Sequence, residues 1–158
     1  MINIAILLCQ NYDENEMTIN NIFDDIEAEN GRASFCVTTV INAIEYTKKE
    51  FSLHFFLANL KEHKSAYIGE EAFIQSEEEN TSNSLKSKIE ASTQVISSFN
   101  LKNIEFLSDG PHEILVYLYE DDEVDEASKK VKNKEAFSLE RREKLVAAYG
   151  FNVSYKEK

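Results

Sequence analysis

The sequence has no tryptophan, one proline, four glycines and two cysteines in 158 residues. Each shortage excludes something. Two cysteines, Cys9 and Cys36, both inside apolar runs, cannot make a disulfide framework. With no C-x-x-C and no Cys/His pair at zinc spacing, they read as buried, reduced thiols, with a single Cys9–Cys36 disulfide as the alternative that a cytosolic setting disfavours. No apolar run approaches the ~20 residues that a helical membrane span requires. The opening "MINIAILLCQN" lacks a basic leader and a small-residue cleavage site. It reads as a first strand and not as a signal peptide, so a cytoplasmic chain is expected. The phosphate-cradling, dinucleotide and nucleophile-elbow glycine motifs are also missing. An enzyme is therefore the third choice of function, and no catalytic residue or cofactor is assigned.

What is present is enough to fold. Apolar residues make up 42% and aromatics 11%, including ten Phe and seven Tyr, which rules against global disorder. The net charge is −12, which opposes nucleic-acid binding by the whole molecule. The charge is uneven: residues 1–126 hold 8 basic and 25 acidic side chains, residues 127–158 hold 9 and 4. An acidic body with a basic tail places a boundary near residue 120.

Period-2 alternation dominates the body. It runs through "INIAILLC", through Phe35, Val37, Thr39 and Ile41, through "FSLHFFLA" and "SAYIGEEAFI", and again through Ile114, Val116 and Leu118. Residues 76–88 are polar and read as an exposed loop. Many short strand signals without helical patterns between them predict a mainly β chain. The expected fold is an antiparallel β-sandwich, immunoglobulin-like or related, over residues 1–120.

The tail, 121–158, changes period. Val124, Ala127 and Val131 fall at i, i+3 and i+7, which predicts one helix. Ser138 as N-cap, "LERREKLVAAY" as body and Gly150 as stop predict a second. Both are too short to stand alone, so a helical C-terminal extension that docks on something is expected.

The order "AILLCQ … MTINNIFDDIEA … SFCVTTVI … FSLHFFL … IEFLSDGPHEILVYL" resembles an uncharacterised family of small bacterial β-sandwich proteins. The resemblance covers roughly residues 4–119, with Ile22-Phe23-Asp24-Asp25-Ile26 as its sharpest match. Asn21 stands where that family usually has Gly, "DGPHE" replaces its Pro-Gly turn, and the tail is extra. The resemblance implies the sandwich and no activity.

The candidate sites follow. "TINNIFDDIEAENG" gathers four carboxylates. Asp24 and Asp25 are weak metal candidates, because their spacing is not that of a calcium loop. They are expected to serve as hydrogen-bonding residues at a strand end. His54, His63 and His112 form no recognisable constellation and read as surface or half-buried side chains. Leu145, Val146 and Tyr149 form a narrow apolar stripe flanked by Arg141 and Arg142. These five are the expected partner-binding residues, either for self-association or for a protein partner. The leading function is a non-catalytic binding or assembly module. The alternative is an acidic inhibitor that imitates nucleic acid and occupies a nucleic-acid-binding protein.

Overall fold

The computed structural model describes residues 2–43, 50–74, 93–131 and 144–156. The described chain is mainly β. Its strands are β1 (Ile2–Asp13), β2 (Thr18–Phe23), β3 (Asp25–Glu29), β4 (Arg32–Ala43) and β5 (Glu50–Asn59). They continue as β6 (Lys64–Ile74), β7 (Thr93–Glu105), β8 (Gly110–Glu120) and β9 (Leu145–Lys156). One short helix, α1 (Val124–Lys130), follows a 3-10 turn at Asp121–Glu123. The expected exposed loop at 76–88 lies outside the described residues.

The strands form one mixed sheet in the order β2-β1-β4-β3-β9-β8-β5-β6, with β7 added to β4. The sheet curls into a half-barrel where two separate antiparallel layers were expected. The curl begins at Asn30-Gly31, which have φ 54° and 77°. An Asn-Gly pair in this left-handed conformation makes a two-residue hairpin turn. It leaves β3 paired to β4 only at Glu29–Arg32, while the rest of β3 runs parallel to β9. Chain direction thus turns sharply at β3, and the two flanks of the sheet face each other.

The concave face holds the core. Leu8, Val37, Ile41, Leu53, Phe55, Ile114, Val116 and Val153 are all essentially inaccessible there. Phe35, Val37, Thr39 and Ile41, expected on one face, are all buried, but Cys36 and Thr38 between them are buried too, so burial does not alternate along this part of β4. On the convex face, α1 lays Ala127 and its flanking Val131 over Phe56, Ala58, Leu115 and Tyr117. This second cover explains why every residue from Phe51 to Phe56 is buried, although alternation alone predicted an exposed phase there.

Part of the tail needs correction. The helix expected near 124–131 is present as α1, but the segment from Leu145 is strand, not helix. It pairs with β3 on one side and β8 on the other. Leu145, Ala147 and Tyr149 alternate along β8 opposite Tyr117, Val116 and Ile114, with a register break near Val146. Two open edges beside it, each offering unpaired N–H and C=O groups, outweigh its helical propensity.

The facing flanks meet at Gly69 on β6. A Cβ placed there would lie 2.8 Å from Cε1 of Phe99 on β7. The Phe99 ring is itself wedged 4.8 Å from that of Phe55. Gly69→Ala should therefore cost ~1–3 kcal/mol through overpacking. Adding Phe99→Leu should recover part of that cost, which urea unfolding of the double-mutant cycle reads. Simple additivity would show that the two flanks do not touch.

Candidate functional site

The core row of the concave face changes character at one end. Leu57 and Ile114 lie opposite each other on β5 and β8. Two residues further on, the same phase brings Asn59 opposite His112, and His112 opposite Phe151 of β9. Period 2 therefore continues the apolar row into two polar side chains, both buried. The β5–β6 turn and the segment between β7 and β8 close over them. A cavity of about 150 Å³ remains, lined by Leu57, Asn59, Lys64, Ser65, Ala66, Glu105, Phe106, Leu107 and His112.

Hydrogen bonds hold the rim. Asn59 Nδ2 donates to Ser108 Oγ at 2.9 Å, and its Oδ1 accepts from the Glu62 backbone N–H at 2.9 Å. Leu60 N–H donates to the Pro111 carbonyl, Phe106 N–H to that of Gly31, and the Tyr155 hydroxyl to that of Phe106. Both amide ends of Asn59 are thereby engaged.

His112 is different. Its ring packs edge-on against Phe106 at 5.3 Å and stacks on Phe151 at 5.7 Å. Its Nδ1 lies 3.0 Å from the Gly110 carbonyl oxygen. A carbonyl only accepts, so Nδ1 carries the proton. Burial pushes the ring's pKa below the ordinary 6.5, against the smaller opposing pull of the Gly110 carbonyl. The ring is thus neutral at pH 7, with Nε2 a bare acceptor. Nε2 has no hydrogen-bond partner among the described residues, yet it is not sealed off. His112 lines the cavity, and with Nδ1 taken by Gly110, Nε2 is the ring nitrogen left to accept from a bound molecule. The depressed pKa also carries a stability term. It is fully present above about pH 6.5 and is lost as pH falls through the window below that value, where only the unfolded chain binds the proton.

The other sequence candidates fall elsewhere. His54 and His112 were expected to be surface or half-buried side chains, and both are fully buried. His54 sits on the convex side of β5, with Ser52 Oγ 3.0 Å from Nε2 and Tyr67 Oη 3.0 Å from Nδ1. Glu70 Oε2 also approaches Nε2, at 3.7 Å, and accepts from Ser128 Oγ of α1. Serine, histidine and glutamate together suggest a hydrolytic triad, but the geometry differs. Serine and carboxylate share one ring nitrogen, tyrosine takes the other, and Ser52 is wholly buried. A triad needs the carboxylate opposite an accessible nucleophile. The cluster ties α1 to the sheet.

Asp24 lies between β2 and β3, and Asp25 opens β3; both are exposed. Asp24 Oδ1 accepts from the Tyr149 hydroxyl at 3.1 Å, which brings two sequence candidates together. Burial and this carboxylate raise the Tyr149 phenol. Among the described residues no group of three or more His, Cys, Asp or Glu side chains is placed to hold a metal ion. Leu145, Val146 and Tyr149 are part-buried against the chain's own two apolar clusters. The stripe expected to bind a partner is thus engaged within the chain. Arg141 and Arg142 lie outside the described residues.

A second cavity, of about 420 Å³, lies among Tyr12, Glu14, Met17, Glu71 and residues 94–98 of β7. Ser97 Oγ there is buried without a hydrogen-bond partner among the described residues. Such a hydroxyl costs ~1–3 kcal/mol. Ser97→Ala should therefore raise stability by ~1 kcal/mol in urea unfolding; a clear loss would mean that bound water satisfies the hydroxyl.

No family model matches the sequence, and no curated protein does. Among solved structures, the chain is similar to a β-glucosidase from Listeria innocua in complex with glucose, at 10% identity and a TM-score of 0.47. That alignment covers 98% of this chain and 16% of the enzyme's. The same enzyme in complex with isofagomine gives 9% identity, a TM-score of 0.47, and coverage of 99% and 16%. This chain thus spans about a sixth of the length of those proteins, and the likeness carries no argument about its chemistry.

Proposed function

We propose that this chain is a non-catalytic binding module whose ligand enters the cavity beside His112. The observation that carries the reading is His112 itself. A buried imidazole normally satisfies both ring nitrogens, whereas Nε2 here has no partner among the described residues and His112 lines a cavity. An accessible lone pair of this kind is free to accept from a ligand, which would take the place of water there. The position supports the reading too, since loops held by a rigid sheet are where binding residues concentrate. Leu60 and Leu107, on the two covering segments, are exposed, as is Tyr155 beside them. Leu145, Val146 and Tyr149 already pack in part against the chain's own apolar clusters, which favours the cavity over the stripe at the tail as the binding surface. A cytoplasmic setting belongs to the same proposal: Cys9 and Cys36, directly opposite across β1 and β4, are free thiols.

The test is a small-fragment screen on the full-length, isotope-labelled chain, read by two-dimensional NMR. Hits should shift Asn59, Phe106, Leu107 and His112 together. Saturable shifts confined to another surface would overturn the reading.

A further inference from the structure

The geometry points to a ligand class for this cavity: an uncharged, ring-sized molecule that donates one O–H hydrogen bond to His112 Nε2, of the phenol or cyclic-alcohol kind. The inference rests on the binding reading above and deepens it.

Size comes first. A cavity of about 150 Å³ accommodates roughly one six-membered ring; engineered apolar cavities of that volume take benzene. Its walls include Leu57, Ala66, Phe106 and Leu107, which suit an apolar body. Polarity comes second. Asn59 has both amide ends occupied, so it offers the ligand little. His112 Nε2 offers a lone pair and no proton, because the proton is held on Nδ1 by the Gly110 carbonyl. A lone pair is satisfied by a donor. A ligand that brings only acceptors, such as a carboxylate or an ether, would set lone pair against lone pair.

Charge comes third. Lys64 and Glu105 give the lining one charge of each sign, and both are exposed. Glu105 is further paired with Arg32 at 3.3 Å. Opposite, solvated charges create no field that would repay the desolvation of an ion entering beside Phe106 and His112. Selection by the donor therefore outweighs selection by charge.

The experiment titrates the full-length chain at pH 7.5 with phenol, toluene and benzoate, read by NMR shifts of the cavity residues. Phenol should bind about tenfold more tightly than toluene, the value of one well-made hydrogen bond. Benzoate should bind more weakly than phenol. His112→Asn keeps an amide N–H for the Gly110 carbonyl and deletes Nε2, so it should erase the preference for phenol over toluene. Should that variant fail to fold, the three-probe comparison on the unaltered chain still decides. Benzoate binding as tightly as phenol, or toluene matching phenol, would overturn the ligand class and leave the binding reading standing. No shift at the cavity with any probe would overturn both.

Discussion

A chain ending at Asp122 will not fold. Read from the sequence, the β-rich body is complete by Tyr119, and the rest is an extension. In the structure, β9 fills the place between β3 and β8. Removing it strips both ladders and leaves β3 held only at Glu29–Arg32. It also deletes Phe151 and Val153 from the core and Ala127 and Val131 from the convex cover. Each buried side chain of that size contributes ~1.5–3 kcal/mol, less for alanine. Four of them, with two ladders, rival the ~5–15 kcal/mol margin of a typical domain. The proton–nitrogen NMR spectrum of the truncated chain should collapse to the narrow dispersion of an unfolded protein. A cooperative melt within a few degrees of the full-length chain would refute the placement of β9.

The second large effect lies at Phe55. It is wholly buried at the centre of β5, paired with Val116 on β8 and opposite Gly69 on β6. Its ring reaches across the fold to Phe99 of β7. Phe55→Ala leaves a cavity that no single neighbour can fill, because the ring bridges both flanks of the half-barrel. The expected loss is ~3–5 kcal/mol. Urea or guanidinium unfolding measures it, with the slope unchanged if the native state stays compact. A loss under ~1 kcal/mol would place Phe55 at a surface and contradict the curl.

The strands were legible because alternation is local. In β5 it still divides Leu53 and Phe55 from Phe56 and Ala58 between two apolar clusters, although both phases are buried. The curl was not legible, since it depends on β3 leaving β4 after one pair to join a strand more than a hundred residues away. The sequence 139–149 misled for a related reason. Leu, Glu, Arg, Lys and Ala favour helix locally, but the slot between β3 and β8 decides the outcome from Leu145 onward. The alternation of Ala147, Tyr149, Phe151 and Val153 was a strand signal in plain view, interrupted by the Gly150 that resembled a helix stop. His112 carried a usable signal too. Extending the phase of Ile114 and Val116 by one step puts it on the buried face, as extending Leu53, Phe55 and Leu57 does for Asn59. What no phase could reveal is that the Gly110 carbonyl takes Nδ1 and leaves Nε2 bare.

The state of that one ring is the most direct test. Nitrogen-15 NMR of the full-length chain, with the histidine rings observed against pH, reports both tautomer and titration. His112 should carry its proton on Nδ1 at pH 7, with Nε2 unprotonated, and should titrate below the ordinary 6.5. A ring protonated on Nε2, or one that titrates at or above 6.5, would contradict the site and the ligand chemistry drawn from it.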